Sequence, residues 1–200
     1  MKSTTNPKKK NKKNNSSPKT KLLLHTCCAN CALQFINSLN LVNKPDSRKY
    51  EVTLYFDNDN IHPRTEYLAR LEATRYIAQE HQLKLVVADW TPKKWYSAIS
   101  KDNTKLLPNR CNKCWNYRLQ QTVNYAQQNG FTTFSTTLLT SHYQNYDQIN
   151  KIALSLQNPN LSFLATPRNT PEVPTKGFYK QNYCGCMYSL VERMEQKWNS

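Results

Sequence analysis

The seven cysteines of the 200-residue chain fall in three tight groups: Cys27-Cys28-x-x-Cys31, Cys111-x-x-Cys114 and Cys184-Gly185-Cys186. None stands alone in an apolar strand, where a cysteine would read as core filler. Thiolates are soft ligands that suit zinc or an iron–sulfur cluster. Two C-x-x-C pairs are, on their face, a structural zinc site. Two features count against that reading: the pairs are 79 residues apart, and the adjacent Cys27-Cys28 adds a thiol that a closed four-coordinate site does not need. On spacing alone zinc and iron–sulfur stand level. Cys184-Gly185-Cys186 is a different object. One intervening glycine gives a close dithiol or a strained, readily broken disulfide, which is the oxidising and catalytic kind. At a helix start its thiolates would be favoured. The plain alternative is two ordinary buried thiols.

Other polar residues fall beside these groups. Arg110 and Arg118 flank the second pair and could hold an anionic cluster or a substrate phosphate; either is equally a solvated charge. The Asp57–Pro63 stretch (DNDNIHP) offers Asn58, Asn60 and His62 to a base or sugar, although an Asx-rich turn that caps a helix explains the same residues. His142 follows a predicted strand and reads first as a structural histidine.

These groups need a frame. Lys21–His25, Tyr50–Phe56, Leu83–Ala88, Phe131–Thr136 and Leu161–Ala165 read as strands. Helices are expected over 32–41, from Pro63 as first helical residue to Gln82, from Pro92 to Ser100 behind a Thr91 cap, over 112–129 closed by Gly130, over 147–157 and over 187–198. Residues 103–109 and 167–183 read as irregular. Strands alternating with helices predict an α/β fold, a Rossmann-like parallel sheet of about five strands flanked by helices. Each cysteine group then lies in or near a loop leading into a helix, where such sheets build sites. Residues 1–20, with seven lysines and no acid, read as a disordered basic tail, leaving 21–200 as a single α/β metal-binding catalytic domain.

Composition narrows the partners. The net charge is +15; the tail supplies seven of these charges, so +8 remains beyond it. A basic domain in a chain with 12 Tyr and 4 Trp suits a polyanion, with lysine and arginine on phosphates and aromatic rings on bases, although surface charge alone explains as much. No apolar run approaches a membrane span, and no signal-peptide core precedes the domain, so a cytoplasmic location is expected, where thiols stay reduced. With only Gly130, Gly177 and Gly185 available, no glycine-rich dinucleotide loop can be built.

Six ordered motifs, LLLHTCCANC (22–31), YFDNDNIHPRTEY (55–67), DWTPKKW (89–95), RCNKCWNYRL (110–119), FSTTLLTSHYQN (134–145) and FYKQNYCGCMYSL (178–190), resemble the QueH type of epoxyqueuosine reductase. The resemblance implies an oxidoreductase that removes the epoxide oxygen of epoxyqueuosine in tRNA, the last step of queuosine biosynthesis. It implies a 4Fe–4S cluster on Cys27, Cys28, Cys111 and Cys114, and a redox-active disulfide of Cys184 and Cys186. It also implies an additional iron, for which the remaining Cys31 is the candidate ligand. Asn30 and Asp59 stand where the family pattern often has proline, and neither departure removes a cysteine. A tRNA anticodon loop as partner makes Tyr55, Trp90, Trp115, Tyr143 and Tyr183 candidate stacking platforms, each of which could equally be core. An external electron donor would complete the cycle. Two rival readings predict different behaviour: a zinc-stabilised RNA-binding module would be colourless, and a thiol-dependent redox or sulfur-transfer enzyme would work without metal.

Overall fold

Leu22, Leu23 and Leu24 are fully buried because the strand that carries them is covered on both faces. Side chains alternate across a strand, so Leu22 and Leu24 pack with the first two helices while Leu23 packs with the fourth and fifth. The structure is a computed structural model that describes residues 19–42, 49–100, 109–168, 170–171 and 182–198. The expected tail therefore lies outside the described residues apart from Lys19 and Thr20, as do most of the 103–109 stretch and much of the 167–183 loop.

Five strands, β1 (Thr20–His25), β2 (Tyr50–Phe56), β3 (Lys84–Val87), β4 (Thr133–Thr136) and β5 (Ser162–Phe163), form one sheet in the order β3-β2-β1-β4-β5. Every pairing is parallel; His25 stands beside Tyr55 on one side and Thr136 on the other. The expected α/β sheet is thus present. Helices α1 (Ala29–Val42) and α2 (Arg64–Glu80) pack on one face, α4 (Asn109–Gln128) and α5 (Tyr146–Leu156) on the other. Helix α3 (Pro92–Ser100) leans on α4, and α6 (Met187–Trp198) follows the last cysteine pair. The strand order reverses at β1, so the connections leaving β1 and β4 part and open a crevice at their carboxyl ends. Among the described residues no helix is long and apolar enough to cross a membrane.

Several boundaries depart from the sequence-based expectation. Helix α1 starts three residues early, because the Cys28 sulfur accepts the Cys31 backbone N–H at 3.4 Å, as a capping oxygen would. Pro63 is not the first helical residue: its extended backbone (ψ 178°) makes it the cap of α2. Helix α4 also begins three residues early, at Asn109, which puts Cys111 in its first turn. Strand β5 keeps only two of five expected residues; Asn158 and Leu161 instead close a small turn through paired backbone hydrogen bonds. Gly130, with φ of +69°, ends α4 as expected.

Candidate metal centre and redox site

The loop after β1 delivers Cys27 and Cys28, and the first turn of α1 adds Cys31. Their sulfurs all lie within 4.8 Å of one another, and among the described residues no other group of three or more His, Cys, Asp or Glu ligand atoms is as close. A short 3-10 turn after β4, Thr137–Thr140, holds the group from the side. The Thr137 hydroxyl donates to the Cys27 sulfur (3.3 Å) and accepts the Cys27 backbone N–H (3.1 Å). S–H donation from Cys28 and Cys31 holds the Cys27 thiol well below its ordinary value, with Arg118 and Thr137 adding to the effect. Cys28 is pushed up to about 12, first by its hydrogen bond with Cys27, and Cys31 is raised well above normal by the same two partners. Such a group carries one negative charge readily and more only with a cation present.

Cys111 and Cys114 come from the first two turns of α4. Burial pushes Cys111 up to about 12 and raises Cys114, although Arg118 and the Trp95 indole oppose the latter. The indole N–H donates to the Cys114 sulfur at 3.3 Å. Cys111 packs against the same core cluster as Cys27 and Cys28, to which Trp115 also belongs. Cys111, Cys114, Cys184 and Cys186 share a small enclosed pocket of about 20 Å³ with Asn60 and Arg118. Above it a cleft of about 290 Å³ is lined by Cys111, Cys184, Cys186, Trp115 and Tyr143.

The Cys184 and Cys186 sulfurs are 3.6 Å apart, and all seven cysteines are free thiols. The Ser189 hydroxyl lies 3.0 Å from Cys184 and 3.4 Å from Cys186, and the Ser189 backbone N–H donates to Cys186 from the first turn of α6. The Cys186 hydrogen bond pulls Cys184 down to about 6 against the cost of burial, while the same bond raises Cys186. Cys184 is thus the thiolate of the pair at neutral pH. In the reduced chain, iodoacetamide labelling followed by mass spectrometry should find Cys184 half-ionised near pH 6, against about 8.5 for an ordinary thiol. Cys186→Ala should move that midpoint upward by removing the donor.

The dithiol loop is clamped from below. Arg70 donates to the carbonyls of Cys184 (3.3 Å) and Tyr183 (3.4 Å), and its Nε is paired with Glu66 at 2.6 Å. The His62 backbone N–H donates to the Gly185 carbonyl at 2.8 Å, and the Tyr183 hydroxyl donates to the His62 carbonyl at 2.7 Å. Gly185 has φ of +112°, and a Cβ there would stand 3.1 Å from both Arg70 Nη1 and Ile61 Cγ1. Gly185→Ala should therefore destabilise the fold by about 1–3 kcal/mol in denaturant titrations and shift the labelling midpoint of Cys184.

The sequence profile of the family described as epoxyqueuosine reductase QueH matches residues 22–192. Proteins of that description from Acinetobacter baylyi and Thermotoga maritima are each 31% identical to the chain over 189 residues. The alignments cover 89% of this chain and 83% of the first relative, and 88% and 93% for the second. A relative from Haemophilus influenzae is 30% identical, with 89% of this chain and 74% of that protein covered. The chain belongs to the epoxyqueuosine reductase QueH family.

Of the polar residues that the family motifs single out, most are cross-braces. Asn58 donates to the Thr26 carbonyl and accepts from Arg118 (2.7 Å), so both ends of its carboxamide are engaged. His62 shares its Nδ1 with the Asn60 carbonyl and packs on Trp90 and Trp95. Arg110 donates to Glu192 at 2.7 Å and lies over the Tyr188 ring, tying α4 to α6. Tyr183 is buried, and Tyr55 stacks on Tyr125 inside the core, so neither offers an open stacking face. Tyr143, 45% exposed on the cleft, does. Arg118 and Asn60 are buried in the thiol-lined pocket. Residue-level reading missed Thr137, Trp95, Ser189 and the Arg70–Glu66 pair; Thr137, Trp95 and Ser189 lie inside the quoted motifs, but nothing in their spacing marks a contact to sulfur. His25, beneath them, is pushed down to about 3 by burial and by Arg118, so it stays neutral beside the thiolates.

Proposed function

We propose that the chain is an iron–sulfur-dependent epoxyqueuosine reductase acting on tRNA, taking epoxyqueuosine in an anticodon loop to queuosine by two-electron removal of the epoxide oxygen. Family membership supports the activity. The observation that carries the chemistry is the meeting of thiols from distant segments at one crevice, with Cys111, Cys184 and Cys186 on its open cleft. We assign the 4Fe–4S cluster to Cys27, Cys28, Cys111 and Cys114, and an additional iron to Cys31. The donor set fits: the thiols are soft, largely buried and unbridged, and the buried Arg118 charge acts on both Cys27 and Cys114, as an anionic cluster requires. The closed Cys27–Cys28–Cys31 group supports thiolate metal binding in general and does not by itself select the cluster type. When bound, the cluster supplies single electrons and the neighbouring iron a Lewis acid.

The chain's own residues bind, orient and donate. A splayed-out base enters the cleft and stacks on Tyr143, with the Trp115 edge fixed by Gln144 (2.7 Å) behind it. Cys184 and Cys186 give up two electrons, and Cys186 its proton, as they join in a disulfide, which an external donor then reduces. Ser189 stays within hydrogen-bonding reach of both sulfurs. The +15 charge favours the RNA, and a cytoplasmic setting suits both the thiols and the substrate. The test is anaerobic purification followed by an optical spectrum, iron and sulfide analysis, and conversion of epoxyqueuosine-containing tRNA. Brown protein with about four irons or slightly more, active on that RNA, is the expected result. Colourless protein holding one zinc, or conversion that survives removal of all metal, overturns it.

A further inference from the structure

Asn60 is fully buried, yet neither its Nδ2 nor its Oδ1 has a hydrogen-bonding partner among the described residues. Arg118, 3% exposed, has its Nε in the same condition, while its Nη2 is committed to Asn58. Both residues line the enclosed pocket beneath the cleft, beside Cys111, Cys114, Cys184 and Cys186. Leaving a buried amide or guanidinium N–H unsatisfied is unfavourable, so two residues in this condition at one place call for a partner. The pocket's size restricts that partner. A volume of about 20 Å³ accommodates about one water-sized atom, too little for a base. Its lining shares Arg110, Cys111, Trp115, Gln144, Cys184 and Cys186 with the open cleft, so whatever enters comes from there.

We infer that this pocket receives the oxygen atom that leaves the substrate, with Asn60 Nδ2 and Arg118 Nε donating to it and Asn60 Oδ1 accepting from it once it is water. The inference rests on the epoxide-reducing function proposed above. As the two C–O bonds break and the C=C bond forms, negative charge gathers on the oxygen, and preorganised donors in a buried pocket act most strongly there. The balance closes with one proton from solvent water: epoxide, the Cys184 thiolate, the Cys186 thiol and that proton become alkene, water and disulfide. Two electrons come from the Cys184–Cys186 pair, and the Cys186 proton and the solvent proton end on the oxygen. Asn58 acts as a positioning residue, since its Oδ1 fixes the guanidinium of Arg118, which lines the pocket.

Asn60→Leu removes donor and acceptor while keeping the same heavy-atom branching, in a larger side chain. In the anaerobically purified full chain, given anticodon stem-loop RNA carrying epoxyqueuosine, it should lower kcat by about 100–1000-fold with little change in KM, the size of losing one such donor elsewhere. Binding provides a readout independent of turnover. The native chain should prefer the epoxide RNA to the deoxygenated RNA by about tenfold, and Asn60→Leu should lose most of that preference, keeping only what Arg118 supplies. Asn60→Ser, which keeps a small donor, should recover part of both effects and serves if the leucine variant does not fold. Unchanged kcat and unchanged preference in Asn60→Leu overturn the inference, while native turnover leaves the reductase function standing. A shifted midpoint potential of the iron centre in Asn60→Leu, with the RNA preference intact, also overturns it, because the carboxamide would then serve the metal. A native chain that leaves the epoxide untouched overturns the reductase function itself.

Discussion

Cys28→Ser and Cys111→Ser are each expected to strip the chain of cluster iron and acid-labile sulfide and to lower epoxide turnover by at least about 100-fold, since even outer-shell changes at metal sites cost 10–100-fold. The two residues lie on different elements, the loop after β1 and the first turn of α4, so equal loss from both requires a centre that spans the crevice. Cys31→Ser separates the alternatives. Under the assignment made here it keeps about four irons and the sulfide and loses only the additional iron. If instead the close group of Cys27, Cys28 and Cys31 holds a single ion by itself, Cys31→Ser empties the site and Cys111→Ser does not. Iron and sulfide analysis with electron paramagnetic resonance on the three variants decides between them. Cys28→Ser has a second consequence: it replaces the sulfur that caps α1 with an oxygen, which caps at least as well, so any loss of function is not a loss of helix.

Glu66→Ala should destabilise the fold by about 3–5 kcal/mol, the cost of removing one partner from a buried ion pair. Glu66 and Arg70 are 9% and 3% exposed, and with Glu66 gone the guanidinium keeps only two long bonds to carbonyls and its place over the Tyr183 ring. Those carbonyls belong to Tyr183 and Cys184, so the damage reaches the dithiol, and the low labelling midpoint of Cys184 should rise along with the loss of stability. A Glu66→Leu/Arg70→Met double variant removes both charges at similar volume and should regain most of the stability, because no buried charge is left unpaired. Denaturant unfolding of the two single variants and the double variant measures the coupling directly. Additive losses would show that the pair contributes nothing as a pair.

The strand–helix alternation, the parallel sheet and the place of each cysteine group in or near a segment that leads into a helix were legible in the sequence, because they rest on local periodicity and on which residues start and stop helices. Leu22–Leu24 reads as a doubly covered strand without any knowledge of its neighbours. The family, too, was legible, since six ordered motifs are a linear property of the chain. Helix starts were read three residues late at α1 and α4, because no familiar capping residue marks them and a sulfur caps the first. Only the tertiary structure decided which thiols share a space: Cys31 closes with Cys27 and Cys28, while Cys111 and Cys114 share a pocket with the Cys184–Cys186 pair. Likewise, Thr137 reaches Cys27 across 110 positions and Arg70 reaches Cys184 across 114. Contacts of that span leave no periodic trace, for they depend on how β1 and β4 come to lie side by side. The same pairing buries Asn60 and Arg118 in one pocket, a juxtaposition that residue type and spacing alone could not have specified.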